Sequence, residues 1–148
     1  MTSKAASETI AVAADHAGFP LKDRLASELA AAGLNVLDLG TNNSDSVDYP
    51  KYGDAMAQAL LEGRADRGVL ICGTGIGVSI AANRHRGIRA AVCHNEEIAR
   101  LARAHNDANV LVMGGRVINE ETASACLRAF LETDFEGGRH QRRVAMLD

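Results

Sequence analysis

The sequence predicts an α/β fold, with five parallel strands in one sheet and helices packed on both of its faces. Three observations carry this expectation. Five short apolar runs recur along the 148 residues, each closed by glycine or polar residues. Each run is nearly continuously apolar rather than alternating, the pattern of a parallel strand buried on both faces. Between the runs lie stretches with helical spacing, and repeated strand–helix alternation implies right-handed crossovers and a sheet covered on both sides.

The first run is Ile10–Ala14, followed by Leu21, Leu25, Leu29 and Ala32 on one helical face that Gly33 stops. Val36–Leu39 is the second, and Met56, Leu60 and Leu61 form its helical stripe before Gly63. The third, Val69–Cys72, runs into a glycine-rich segment and a helix expected over Ile76 to Asn83. Ala90–Cys93 precedes a stripe of Ile98, Leu101 and Ala102. The last run, Val110–Met113, precedes Ala125, Leu127, Phe130 and Leu131. No repeat, low-complexity tract or linker divides the chain, so 1–148 reads as one domain. Disorder is expected over 1–8, and a basic segment over 137–148 is expected to contribute to the site.

Hydrophobic residues make up 47% and charged residues 24%, ordinary for a soluble domain with a real core. Aromatics are only 3% and Trp is absent, so Ala, Val, Leu and Ile must build the interior. A net charge of −3 gives no general attraction to nucleic acid or to an anionic membrane. No stretch approaches the roughly 18–20 apolar residues of a transmembrane helix. Met1 to Thr9 lacks the apolar region of a signal peptide. Three widely spaced cysteines, Cys72, Cys93 and Cys126, exclude a full disulfide framework and a CxxC pair. A reduced, cytoplasmic chain is expected.

Ligands of open parallel sheets bind at the carboxyl ends of the strands, so polar chemistry should follow the apolar runs. Asp15-His16 follows the first, Gly73-Thr74-Gly75-Ile76-Gly77 the third, His94-Asn95 the fourth and Gly114-Gly115-Arg116 the fifth. The glycine loop is the strongest local signal. Alternate glycines let the backbone turn sharply and point several N–H groups into one concavity, to which a helix N-terminus adds partial positive charge. Such a loop holds an anion. A dinucleotide fingerprint needs G-x-G-x-x-G and a P-loop needs Gly-Lys-Ser/Thr; neither is present. A cysteine-phosphatase loop would place Arg where Val78 stands. What remains is a cysteine beside a nest of donors. That fits proton abstraction next to a carbonyl, where an enediolate must be stabilised as it forms. A thiol at a helix N-terminus also tends towards the thiolate. On composition alone, a small buried residue closing a strand is an equally good reading of Cys72. Cys93 and Cys126, without polar company, are expected in the core.

Asp15-His16 sets a carboxylate and an imidazole at the mouth of the sheet, although Asp15 also suits a helix cap. His105-Asn106-Asp107 lies in the short segment before the fifth strand, where a loop would bring it to the sheet rim. In the tail, a helix would put Arg139 and Arg143 at i and i+4, able to grip a phosphate together. A solvated basic end is the plain alternative.

These motifs resemble the ribose-5-phosphate isomerase B family, which also includes the galactose-6-phosphate isomerase subunits. The resemblance runs from about Ile10 to Arg143 through six ordered motifs: Ala14–Gly18, Asp48-Tyr49-Pro50, Ile71–Gly77 with Ala81-Ala82-Asn83, Gly87–Ala90, His105–Val110 and Gly137–His140. It implies a Rossmann-like three-layer α/β/α sandwich, no metal or organic cofactor, and a homodimer or dimer of dimers with sites at the subunit interface. Cys72 then matches the base that moves a proton between C2 and C1 through a cis-enediolate, and Gly73, Thr74, Gly75, Ile76 and Gly77 match the loop that holds the intermediate. His105 matches the acid that opens the furanose ring, with Thr74 and Asp15 beside the reacting oxygens. His16, Arg116, Arg139 and Arg143 match phosphate contacts, Asn106 a sugar-hydroxyl contact and Tyr49 a pocket wall. One branch of the family carries Ser and, four residues later, Glu at these positions; Cys72 and Ile76 place this chain in the cysteine branch. The expected reaction interconverts D-ribose 5-phosphate and D-ribulose 5-phosphate. The same chemistry on allose 6-phosphate, galactose 6-phosphate or a tetrose phosphate is the alternative, and a non-catalytic sugar-phosphate binding module the next.

Overall fold

The apolar runs become strands β1 (Thr9–Ala14), β2 (Asn35–Asp38), β3 (Arg67–Cys72), β4 (Ala90–Val92) and β5 (Val110–Gly114). In the computed structural model, which describes residues 8–148, they form one parallel sheet in the order β2-β1-β3-β5-β4. The disorder expected over 1–8 falls, Glu8 aside, outside the described residues. Glu8 meets Arg67 at the start of β3 with two hydrogen bonds, at 2.6 and 2.8 Å.

Among the described residues, six helices connect or follow the strands: α1 (Phe19–Ala31), α2 (Tyr49–Leu61), α3 (Ile76–Asn83), α4 (Glu96–Asn106), α5 (Glu120–Glu132) and α6 (Arg139–Ala145). Leu21, Leu25 and Leu29 of α1 join Ala99 and Ala102 of α4 and Leu127 and Phe130 of α5 in a core on one sheet face. Met56, Ala57 and Ala59 of α2 and Val78 and Ala82 of α3 fill the other face. The three-layer sandwich is therefore as expected. The chain leaves β1 for β2 in one direction and crosses back to β3 on the other side, so the switch point of the sheet lies between β1 and β3.

Several details depart from expectation. β2 and β4 are edge strands and only partly buried, not covered on both faces. Ala32 lies past the end of α1 and is exposed. In α2, Met56 is buried while Leu61 is 54% exposed; in α4, Ala99, Ala102 and Ala104 face the interior and Ile98 is 44% exposed. Small residues let these helices lie close to the sheet, which moves the larger side chains to the rims. His105 and Asn106 are not in a loop: they form the last turn of α4, which Asp107 closes with φ 48°.

Candidate active site

At the switch point the ends of β1 and β3 present Asp15 and Cys72. The Asp15 Oδ1 accepts the N–H groups of Ala17 and Gly18, both at 3.0 Å, so this buried carboxylate does shape the turn into α1. Beside it, the His16 Nδ1 accepts the Val47 N–H at 3.1 Å, which leaves Nε2 as the protonated nitrogen of the neutral ring. The segment holding Val47 is itself anchored by a side chain whose role the sequence did not reveal. Lys22 is fully buried, and its Nζ donates to both Asp38 oxygens at 2.9 Å and to Asn42 Oδ1 at 3.1 Å.

Cys72 is 5% exposed at the end of β3, and its Sγ accepts the Gly75 N–H at 3.2 Å, which turns the sulfur towards the glycine loop. Gly75 has φ +84°, and a Cβ there would lie 3.0 Å from the Met113 carbonyl carbon. Both the turn and its packing on β5 therefore require glycine. Thr74 Oγ1 accepts the Ile76 N–H at 3.2 Å. Of the remaining first-turn N–H groups of α3, that of Ser79 donates back to the Gly75 carbonyl at 3.2 Å, so those of Gly77 and Val78 are left as donors for an anion. The Tyr49 ring packs on Gly77, where a Cβ would clash with Tyr49 Cε1, making Tyr49 a wall of the loop. The Arg116 N–H donates to the Gly73 carbonyl at 3.0 Å, and its guanidinium lies against Gly73. Asp15, His16, Tyr49, Cys72, Gly73, Thr74, Gly75, Ile76, Gly77 and Arg116 thus share the carboxyl edge of the sheet.

His105, Asn106, Arg139 and Arg143 do not join them. α4 runs back from β4 and ends before β5 begins, so its last turn lies at the amino edge, about one strand length away, roughly 17 Å. There the His105 ring stacks on His140, with centroids 4.3 Å apart and planes 14° from parallel. α6 places Arg139 and Arg143 one turn apart, both exposed. Burial, together with the charges of Arg139 and the neighbouring His105, pushes the His140 pKa below its ordinary value. Sequence reasoning gave no role to His140 or to Glu136, whose Oε1 lies 3.6 Å from the His140 Nε2; the Gly-Gly-Arg-His run was the available signal. Cys93 and Cys126 are core residues, as expected, and burial with Cys126 nearby pushes the Cys93 thiol up to about 12.

Comparison with known proteins agrees with this architecture. The model of the ribose/galactose isomerase family matches residues 10–147. Ribose-5-phosphate isomerase B of Escherichia coli is 49% identical over 135 residues, 91% of each chain. The solved ribose 5-phosphate isomerase of Thermotoga maritima is 51% identical with TM-score 0.93, covering 95% of this chain and 97% of that one. The Mycoplasma genitalium ribose-5-phosphate isomerase B, solved with bound ribulose 5-phosphate, is 40% identical with TM-score 0.90, covering 94% and 93%. A buried cysteine facing a glycine loop at the sheet's switch point, in a chain matched almost end to end, places this protein in the ribose/galactose isomerase family.

Proposed function

We propose that this chain is an aldose–ketose isomerase that interconverts D-ribose 5-phosphate and D-ribulose 5-phosphate, as a cytoplasmic homodimer. The observation that carries the reading is the Cys72 sulfur aimed at the glycine loop, in a chain whose full-length relatives are named for this reaction. With the ring open, Cys72 as thiolate takes the C2 proton. The C1 carbonyl oxygen becomes an oxyanion, held by the Gly73–Gly77 donors as the cis-enediolate forms. The O2 hydroxyl proton shifts to O1, and Cys72 returns its proton to C1. A positioned base contributes on the order of 10²–10⁴-fold, and an oxyanion donor about 10²–10³-fold. Thr74 and Asp15 sit beside the reacting oxygens, and His16 and Arg116 meet the phosphate from this subunit.

His105 as ring-opening acid, Asn106 on a sugar hydroxyl, and Arg139 and Arg143 on the phosphate then have to come from a second copy. Two features support this. The residues sit on opposite edges of the sheet, and Ile76 and Ile80, next to the loop, are 56% and 59% exposed. In a two-fold dimer the same patch serves both chains, so two sites form together. The cytoplasmic placement rests on three free cysteines; among the described residues, no helix is long and apolar enough to cross a membrane.

The test is solvent exchange. Purified protein without added metal should equilibrate the two pentose phosphates and wash deuterium into C1 or C2. Saturable binding of ribose 5-phosphate without carbon-bound exchange would make it a binding module and end the isomerase reading.

A further inference from the structure

At the amino edge, three potential metal ligands converge from separate elements: His105 at the end of α4, His140 in the first turn of α6, and Glu136 in the connection from α5. Glu136 Oε1 lies 3.8 Å from His105 Nε2 and 3.6 Å from His140 Nε2, and one donor atom from each residue lies within 4.8 Å of the others. His140 is 9% exposed, and its Nε2 is buried without a hydrogen-bond partner among the described residues. A buried polar nitrogen left without a partner is costly, and its presence asks for a ligand.

We propose that this cluster binds a divalent transition ion of the zinc class through His105 Nε2, Glu136 Oε1 and His140 Nε2. Two imidazoles and a carboxylate form a borderline donor set suited to Zn²⁺ or Co²⁺, with water completing four-coordination. Bonds of about 2.0–2.1 Å in a tetrahedron set ligand atoms roughly 3.3 Å apart. The carboxylate contacts need only a few tenths of an ångström of closure. The two imidazole rings stack face to face, so one must swing to aim its in-plane lone pair at the ion. His105, with its side chain 36% exposed, has room to do so.

The rest of the frame is already tied. The Glu136 N–H donates to the Ala104 carbonyl at 2.9 Å, and Arg103 Nε donates to the Thr133 carbonyl at 3.2 Å. Both bonds hold the ligand-bearing connection against the last turn of α4. Arg139 and Arg143 oppose a dication, so the affinity is weaker than that of a structural zinc site. The ion occupies the nitrogen of the proposed ring-opening acid, so the loaded protein loses isomerisation; that consequence, unlike the binding itself, rests on the functional reading above.

The experiment titrates metal-free, full-length protein with Co²⁺ and follows its visible ligand-field absorption, with Zn²⁺ as competitor. One equivalent per chain is expected, without a thiolate charge-transfer band, and unchanged in Cys72→Ala. Glu136→Gln and His140→Ala should each weaken binding by about 100-fold, at or beyond the upper end of what losing an outer-shell partner costs. Circular dichroism identifies any variant that fails to fold, and Glu136→Gln then decides alone. No saturable binding, wild-type affinity in the folded variants, or a thiolate band lost in Cys72→Ala would overturn the site. Metal binding that leaves turnover untouched would uphold the site and count instead against His105 as the acid.

Discussion

Cys72 was ambiguous as a letter in the sequence and is much less so as an atom. Its burial alone fits a strand end, but the Gly75 N–H at 3.2 Å turns the sulfur into the loop. Cys72→Ala should therefore lower turnover by at least about 10²-fold while leaving inorganic phosphate binding, measured by calorimetry, near wild type. Retained turnover would remove Cys72 from the mechanism. Gly75→Ala meets both a positive φ and the Met113 backbone, and should cost about 1–3 kcal/mol in urea unfolding. Cys93 makes the opposite case, a thiol that the fold keeps protonated. Its folded pKa of about 12 lies above the ordinary 9.0, so the unfolded chain releases this proton first as pH rises. The stability it contributes is complete below pH 9 and drains away between about 9 and 12. Unfolding midpoints across that range should fall more steeply for the wild type than for Cys93→Ala.

At the scale of elements, the helices were legible because leucines at helical spacing name a buried face, as Leu21, Leu25 and Leu29 do in α1. The same rule was only partly right in α4, where Ala102 of the expected stripe is buried together with Ala99 and Ala104, but Ile98 is left at the rim. Periodicity registers large residues, whereas close helix–sheet contact selects small ones. Lys22 was illegible for a related reason. A lysine beside a leucine stripe reads as solvated, and only the fold brings Asp38 and Asn42 to its Nζ. This tether fixes the segment whose Val47 N–H meets His16. Lys22→Ala should cost about 3 kcal/mol, the low end for a broken buried pair because Asp38 is 39% exposed. It should also raise KM for the sugar phosphate more than it lowers kcat, as steady-state kinetics will show. An unchanged KM would detach the tether from the site.

For the whole molecule, the decisive fact is the length of a strand. The candidate residues form two groups on opposite edges of one sheet, and no side-chain movement within a subunit closes roughly 17 Å. A mixture of inactive Cys72→Ala and Arg139→Ala chains should regain activity, up to about a quarter of wild type for random pairing, because one of the two sites in each heterodimer is intact. No recovery after subunit exchange would mean that each chain carries its own complete site.

The sequence by itself determined the strand order of events along the chain, the three-layer packing, the glycine loop and its cysteine, and the family motifs. These are local: run length, spacing and turn chemistry act over a few residues. Tertiary structure alone decided which strands are edges, which face of α4 is buried, where Lys22 finds its partners, and that His105 stands at the opposite edge from Cys72. Each of these depends on which strands lie side by side and on which segments the fold brings against them, and spacing along a chain carries no information about those neighbours until the strands are paired.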